Sequence, residues 1–345
     1  MSKVFIVLVN YTKYKDTIEC LESVLKSSYQ NFEVIIIDNS PNDESEYNIR
    51  RWLKGEYNCS EINTLFPELV YPMLGKPISY TYLKEAQLEK AEPAPNKVLF
   101  IKAINRGFAA ANNLAFKYIL KSANQSSFVW LLNNDTVIEK ETLKNMINFY
   151  KNNDPVYVIG SKLKYYYKKE ALQAICGRYN KWLGSTYHIG DGEIDRGQYN
   201  NYVMSNDNYI VGASIFFPIV FLSTVGVMNE DYFLYYEEMD WILTGRKYGF
   251  KIALEPTAIV YHKEGASIEG ASLNGKNKDK SVADYFSIVN RLKFTKKWYP
   301  QCTVSVTIGV FYALLKRLLK GRVRFVTRVT KAVVKVLFTS YTGKI

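Results

Sequence analysis

Four short apolar runs, each closed by a cluster of polar residues, constrain this chain more than any other feature. Residues 3–9 (KVFIVLV) lead into Asn10-Tyr11, and residues 33–38 (EVIIID) into Asn39-Ser40-Pro41. Residues 97–104 (KVLFIKAI) lead into Asn105-Arg106-Gly107, and residues 127–132 (SFVWLL) into Asn133-Asn134-Asp135. A continuous β-branched apolar run without polar alternation reads as a strand covered on both faces. Between the first two runs, residues 16–27 carry Ile18, Leu21, Val24 and Leu25 at helical spacing, with Asp16 as the expected N-cap. Residues 109–121 and 139–150 read as further helices. This β-α-β alternation predicts an α/β fold with a doubly wound, Rossmann-like, mostly parallel sheet.

The remaining segments are less regular. Pro67, Pro72, Pro77, Pro93 and Pro95 mark a variable insertion at about 50–96, expected to add little to the sheet. Beyond Asp154-Pro155, residues 157–167, 209–217 and 251–261 read as strands, the last leading to His262. Residues 184–201 read as a Gly- and Asp-rich loop, and residues 281–299 as a helix. Residues 231–249 open on an aromatic and acidic cluster and become helical near Met239. One large domain is expected over 1–300, divided into 1–136, 137–270 and a helical extension 271–300. A distinct tail follows at 301–345.

Composition removes several function classes. There are two histidines, and four cysteines (Cys20, Cys59, Cys176, Cys302) with no CxxC. That disfavours a zinc site or a disulfide framework and fits a reducing compartment. A metal would take mostly oxygen ligands, which selects Mg²⁺ or Mn²⁺. No GxxxxGK[ST] is present, and the first βα turn lacks glycine, so neither a P-loop nor a dinucleotide fingerprint is available. Residues 4–9 are too short for a signal-peptide core, so no leader is expected. No run reaches the ~18 apolar residues needed to span a bilayer, the longest candidate being 303–315.

In open α/β sheets ligands bind outside the carboxyl ends of the strands. The four polar clusters would converge there on one crevice. Asp38 could accept the N–H of a pyrimidine base, and Asp135 could ligate a divalent cation. Asp and Asn at strand ends also make turns and caps, which is the competing reading. Glu237, Glu238 and Asp240 lie within one helical turn, where like charges raise a carboxyl pKa and suit a general base. An acidic helix start favoured by the macrodipole is the alternative. His262 is a metal ligand by type, though a lone histidine is more often structural.

The segments VLVNY (7–11), ECLESV (19–24), VIIIDNS (34–40), NRGFAAANN (105–113), WLLNNDT (130–136), YFLYYEEMDW (232–241) and VYHKEGAS (260–267) follow one another in order. Together they resemble the family 2 glycosyltransferases of GT-A fold, in particular the bacterial rhamnosyltransferase-like and galactofuranosyltransferase-like branch. The resemblance implies an inverting, metal-dependent transfer from a nucleotide-diphosphate sugar. The acceptor would be a saccharide or lipid-linked saccharide, in synthesis of a bacterial surface polysaccharide such as a capsule or lipopolysaccharide O-chain. It implies Asp38 at the nucleobase, and Asn10, Tyr11, Asn39, Asn105, Arg106, Gly107, Asn133 and Asn134 around the donor. Asp135 and His262 would hold Mg²⁺ or Mn²⁺. The family's base position falls on Glu238, with Glu237 as its neighbouring alternative and Asp240 in the same acidic set.

Nine of the 45 Lys and Arg residues, and no Asp or Glu, lie in 301–345. Alternation of these cations with apolar residues suits peripheral contact with an anionic membrane. Packing on the domain or on a second subunit as a homodimer is the alternative. A cytoplasmic protein on the inner face of the cell membrane is expected, with no nucleic-acid partner. Two rival functions remain: a glycoside hydrolase, which also needs two carboxylates, and a silent nucleotide- or glycan-binding module.

Overall fold

The computed structural model describes residues 2–58, 62–92, 96–263 and 278–339. The apolar runs form β1 (Val4–Asn10), β2 (Phe32–Asp38) and, after β3 (Tyr80–Lys84), β4 (Val98–Lys102) and β5 (Phe128–Asn133). These five strands are mutually parallel in the order β3-β4-β2-β1-β5. Consecutive side chains alternate between two cores, because a strand's period is two. Val4, Ile6, Leu8, Val34 and Ile36 pack on α1 (Tyr14–Leu25) and α2 (Glu44–Lys54). Phe5, Val7, Ile35, Ile37 and Leu131 pack against α4 (Phe108–Ser122), which follows the short α3 (Pro67–Val70).

Register aligns the polar strand ends. Asn10 lies opposite Asp38, Asp38 opposite Lys102, and Val9 opposite Asn133. The chain leaves β1 toward β2 on one side while β5 lies on the other, so a topological switch point falls between β1 and β5.

The rest of the sheet runs on from β5. After β6 (Thr136–Ile138), α5 (Thr142–Phe149) leads to β7 (Tyr157–Tyr165). β8 (Lys168–Ala174), β9 (Cys176–Asn180), β10 (Ser185–Ile189) and β11 (Asn208–Tyr209) precede β12 (Ser214–Pro218), which pairs antiparallel with both β5 and β7. α6 (Ile219–Val225) and α7 (Glu237–Lys247) lead to β13 (Lys251–His262). β13 is parallel to β7 and antiparallel to β6, which sets His262 opposite Thr136, the neighbour of Asp135. Finally α8 (Lys278–Trp298), α9 (Thr303–Leu319) and α10 (Val323–Phe338) share a small core of Ile288, Leu292, Val306, Val310, Val329 and Val333.

Several expectations need correcting. The 50–96 segment adds an edge strand, β3, to the main sheet; its half-buried residues follow Pro77 and give no continuous apolar signal. Pro93 and Pro95 lie outside the described residues. The single strand at 209–217 is two, β11 and β12, interrupted at 210–213. The loop at 184–201 contains β10, part of a three-stranded sheet β10-β9-β11. Lys13, not Asp16, is the N-cap of α1, and Asp16 instead pairs with Lys263. Finally, Pro300–Leu319 is long and apolar enough to cross a membrane by length and composition.

Candidate active site

The aligned strand ends are bound together by a buried polar network. Asn10 Nδ2 donates to Asp38 Oδ1 at 2.7 Å and to Ser40 Oγ at 3.2 Å. Asn10 Oδ1 accepts from Thr17 Oγ1 at 2.8 Å and from Asn134 Nδ2 at 3.2 Å. Lys102 Nζ pairs with Asp38 Oδ2 at 2.8 Å. The network therefore fixes the ends of β5, β1, β2 and β4 relative to one another, and Asn10, Asp38 and Asn134 are buried in it. Most buried polar groups in folded proteins are hydrogen-bonded, so these side chains are scaffold as well as candidate ligands. With Ser40 Oγ also donating to Oδ1 at 2.5 Å, both Asp38 oxygens are engaged by protein. The open acceptor beside it is Asn39 Oδ1, which is buried without a hydrogen-bond partner. Asn39, Ser40, Lys102 and Asn105 line a cleft of about 1420 Å³ at this edge.

At the end of β5, Asp135 is buried and faces His262, with Oδ1 3.2 Å from Nε2. His262 Nδ1 lies 2.8 Å from Gln173 Oε1, so an N–H at Nδ1 has a partner, while Nε2 faces Asp135 and Asn133 Nδ2. An orienting partner on the second ring nitrogen is the usual companion of a metal-binding imidazole. Burial disfavours the Asp135 charge. His262 and Lys263 outweigh it and hold the pKa below the ordinary range. Among the described residues no three His, Cys, Asp or Glu side chains converge, so the described residues supply Asp135 and His262 as the candidate pair. Adjacent ligands of an octahedral Mg²⁺-type ion, bound at about 2.1 Å, stand about 3.0 Å apart. The donor pair fits that spacing, with the remaining positions left to phosphate oxygens and water.

The acidic cluster sorts itself by environment. Just before α7, Phe233, Tyr235 and Tyr236 all have positive φ (60°, 69° and 74°), which bulky residues adopt only when surroundings impose it. Asn290 of α8 imposes it here, donating through Nδ2 to the carbonyls of Tyr232, Leu234 and Tyr235. Gly107 packs against the same turn. Its φ is +100°, and a Cβ there would lie 2.3 Å from the Phe233 carbonyl oxygen. Asp240 points away into an ion pair with Lys297 at 2.8 Å, and it accepts from Trp298 Nε1 and Tyr232 Oη. It ties α7 to α8 and is not placed to react. Glu237 is 3% exposed and its Oε2 has no partner. Burial, then the neighbouring Glu238 charge, pushes its pKa well above 4.5. Glu238 stays partly accessible, and burial raises its pKa to about 7. It lies against Gly212, whose neighbour Ala213 accepts a hydrogen bond from Asn133 N. Glu238 and the Asn133-Asn134-Asp135 turn thus flank the same 212–213 backbone.

Of the other residues expected here, Tyr11 is half-buried in the loop after β1. Asn105 accepts from Gly107 N, and Arg106 is exposed and paired with Glu85. The later part of the 260–267 segment lies outside the described residues. Lys102, Gln173 and Asn290 gave no sequence signal. They are ordinary residue types, brought in only by pairing between distant strands and helices.

Comparison with known proteins accounts for this arrangement. The model of "Glycosyl transferase family 2" matches residues 5–64 and 81–186. The match covers just under half of the chain, which is similar to this family over those residues. Among curated relatives, the dTDP-rhamnosyl transferase RfbF of Shigella flexneri is 23% identical over 213 residues, covering 60% of this chain and 66% of its own length. The chain thus spans just under two thirds of that relative, and it is similar to the rhamnosyltransferase-like branch. Among solved structures, GalNAc-T7 with UDP, GalNAc and Mn²⁺ superposes with a TM-score of 0.51 at 10% identity, covering 85% of this chain and 51% of the other. The mannosyltransferase PcManGT of Pyrobaculum calidifontis gives 0.47 at 11%, covering 97% and 87%. The fold is of the GT-A type.

Proposed function

We propose that this protein transfers a sugar from a nucleotide-diphosphate donor to a saccharide acceptor with inversion. The observation that carries the reading is the pairing, around the 212–213 backbone, of a two-ligand Asp135–His262 site with a single accessible carboxyl group of pKa about 7, Glu238. Glu238 as carboxylate accepts the proton of an acceptor hydroxyl. That oxygen bonds to the anomeric carbon from the face opposite the leaving group, while the bond to the diphosphate oxygen breaks and the nucleoside diphosphate departs with the electron pair. Asp135 and His262 would hold a divalent ion that offsets the charge growing on that leaving group; the GalNAc-T7 structure is one that contains Mn²⁺. Asn39 and the Asn10–Asp38–Lys102 network favour the donor's base at the ends of β1 and β2.

RfbF by its name uses a dTDP sugar, which supports a deoxysugar donor. A lipid-linked acceptor in surface polysaccharide assembly, met at the inner face of the membrane, suits the basic C-terminal helices. A glycoside hydrolase would need two facing carboxylates, and with Glu237 and Asp240 turned inward only Glu238 of this set remains accessible. The test is transfer or donor hydrolysis across a panel of UDP-, dTDP- and GDP-sugars, with Mg²⁺, Mn²⁺ or EDTA. Cation-dependent release of nucleoside diphosphate supports the reading. Turnover unaffected by EDTA, or none with any donor, rejects it.

A further inference from the structure

The packed face of α9 is Val306, Val310 and Leu314, buried against α8 and α10. Its opposite face is apolar as well. Val304, Ile308, Phe311, Leu315 and Leu319 recur at helical spacing and are 47–79% exposed. A helix of 17 residues is about 25 Å long, so this is an apolar ridge running its whole length. Exposed apolar stripes of this extent mark a surface with a partner.

The charge on α10, which shares a core with α9, indicates which partner. On α10, Arg324, Arg328, Lys331 and Lys335 recur at intervals of four, three and four residues and are all exposed. With Tyr285 and Val323 they line a groove of about 630 Å³. Asp284 pairs with both Arg317 and Arg322. Those four cations of α10, and Lys316 and Lys320 of α9, pair with no carboxylate among the described residues. Phe338, 86% exposed, stands beside the cationic row.

We infer that α9 and α10 form a docking surface for an anionic lipid bilayer, the α9 ridge entering the interface and the α10 cations meeting the headgroups. An apolar face beside a basic one is the pattern of an interfacial helix, and each cation near an anionic leaflet adds to the attraction. Docking at the surface fits better than crossing. A spanning α9 would have to leave Val306, Val310 and Leu314 without α8 and α10, and would break the Arg317–Asp284 pair. The inference goes beyond glycosyl transfer and does not depend on it.

The experiment is sedimentation of the full chain with phosphatidylcholine vesicles, with and without phosphatidylglycerol. Binding is expected only to the anionic vesicles, reversed by high salt and by alkaline carbonate. Ile308→Glu with Leu315→Glu, and separately Lys331→Glu with Lys335→Glu, are expected to cut the bound fraction at least tenfold. All four positions are exposed, so the melting temperature and donor hydrolysis are expected to remain those of the parent chain. Absence of vesicle binding overturns the inference, as does equal binding to neutral vesicles. Resistance to carbonate overturns it in favour of a spanning α9. A dimer that the Ile308 and Leu315 changes dissociate, without vesicle binding, overturns it in favour of a second copy.

Discussion

Replacing Glu238 by Gln should make the protein less active and more stable at once, with both effects following pH. Burial raises this carboxyl from 4.5 to about 7, so the folded state binds the proton more tightly than the unfolded state does. A raised acid pKa contributes stability below about 4.5 that is lost as pH climbs through about 7. Two and a half pKa units correspond to about 3 kcal/mol. Glutamine keeps the shape of the neutral acid and cannot ionise. Urea unfolding should therefore find Glu238→Gln close to wild type at pH 5, and up to about 3 kcal/mol more stable at pH 8. Over the same range, wild-type kcat/KM should rise roughly tenfold from one unit below the pKa to the plateau. The variant should lose about 10²–10⁴ in kcat with its pH dependence flattened, and should still bind donor. A Glu238→Gln enzyme equally stable relative to wild type at both pH values, or one that keeps its turnover, would refute the reasoning. Should Glu237→Gln be the inactive variant instead, the base is the neighbouring carboxyl.

Asn290→Ala removes three hydrogen bonds that hold the 232–235 backbone, so kcat should fall at least tenfold while donor KM changes little. Rescue by restored packing alone, as in Asn290→Leu, would show that the role is merely structural. Gly107→Ala would press a Cβ against the Phe233 carbonyl and force a right-handed side chain into a left-handed backbone. A loss of about 1–3 kcal/mol in stability, together with a drop in kcat, is expected by chemical denaturation and donor hydrolysis.

β1, β2, β4 and β5 were legible because they are covered on both faces and so carry nearly continuous apolar runs. Their polar ends were legible for the same reason: Asn10, Asp38 and Asn133 interrupt runs that are otherwise unbroken. β3 was not, because as an edge strand it is half-buried and carries Tyr and Thr that also suit loops. Asp240 shows the limit of proximity in sequence. It stands two residues from Glu238, yet side chains two apart on a helix do not share a face, and it turns toward Lys297. Asp38 shows a second limit, since Lys102 lies 64 residues away and only strand pairing brings it onto that carboxylate. Asn290 could not have been found from its own neighbourhood, as its partners are the carbonyls of residues more than 50 positions earlier.

The central claim is that Asp135 and His262 hold the cation on which donor binding depends. Titration calorimetry of UDP and dTDP, with and without Mn²⁺, tests it directly on wild type and on Asp135→Ala. The account predicts cation-dependent binding by wild type, and loss of that dependence in a variant that still unfolds cooperatively. Nucleoside diphosphate binding as tight and as Mn²⁺-dependent in Asp135→Ala as in wild type would contradict it.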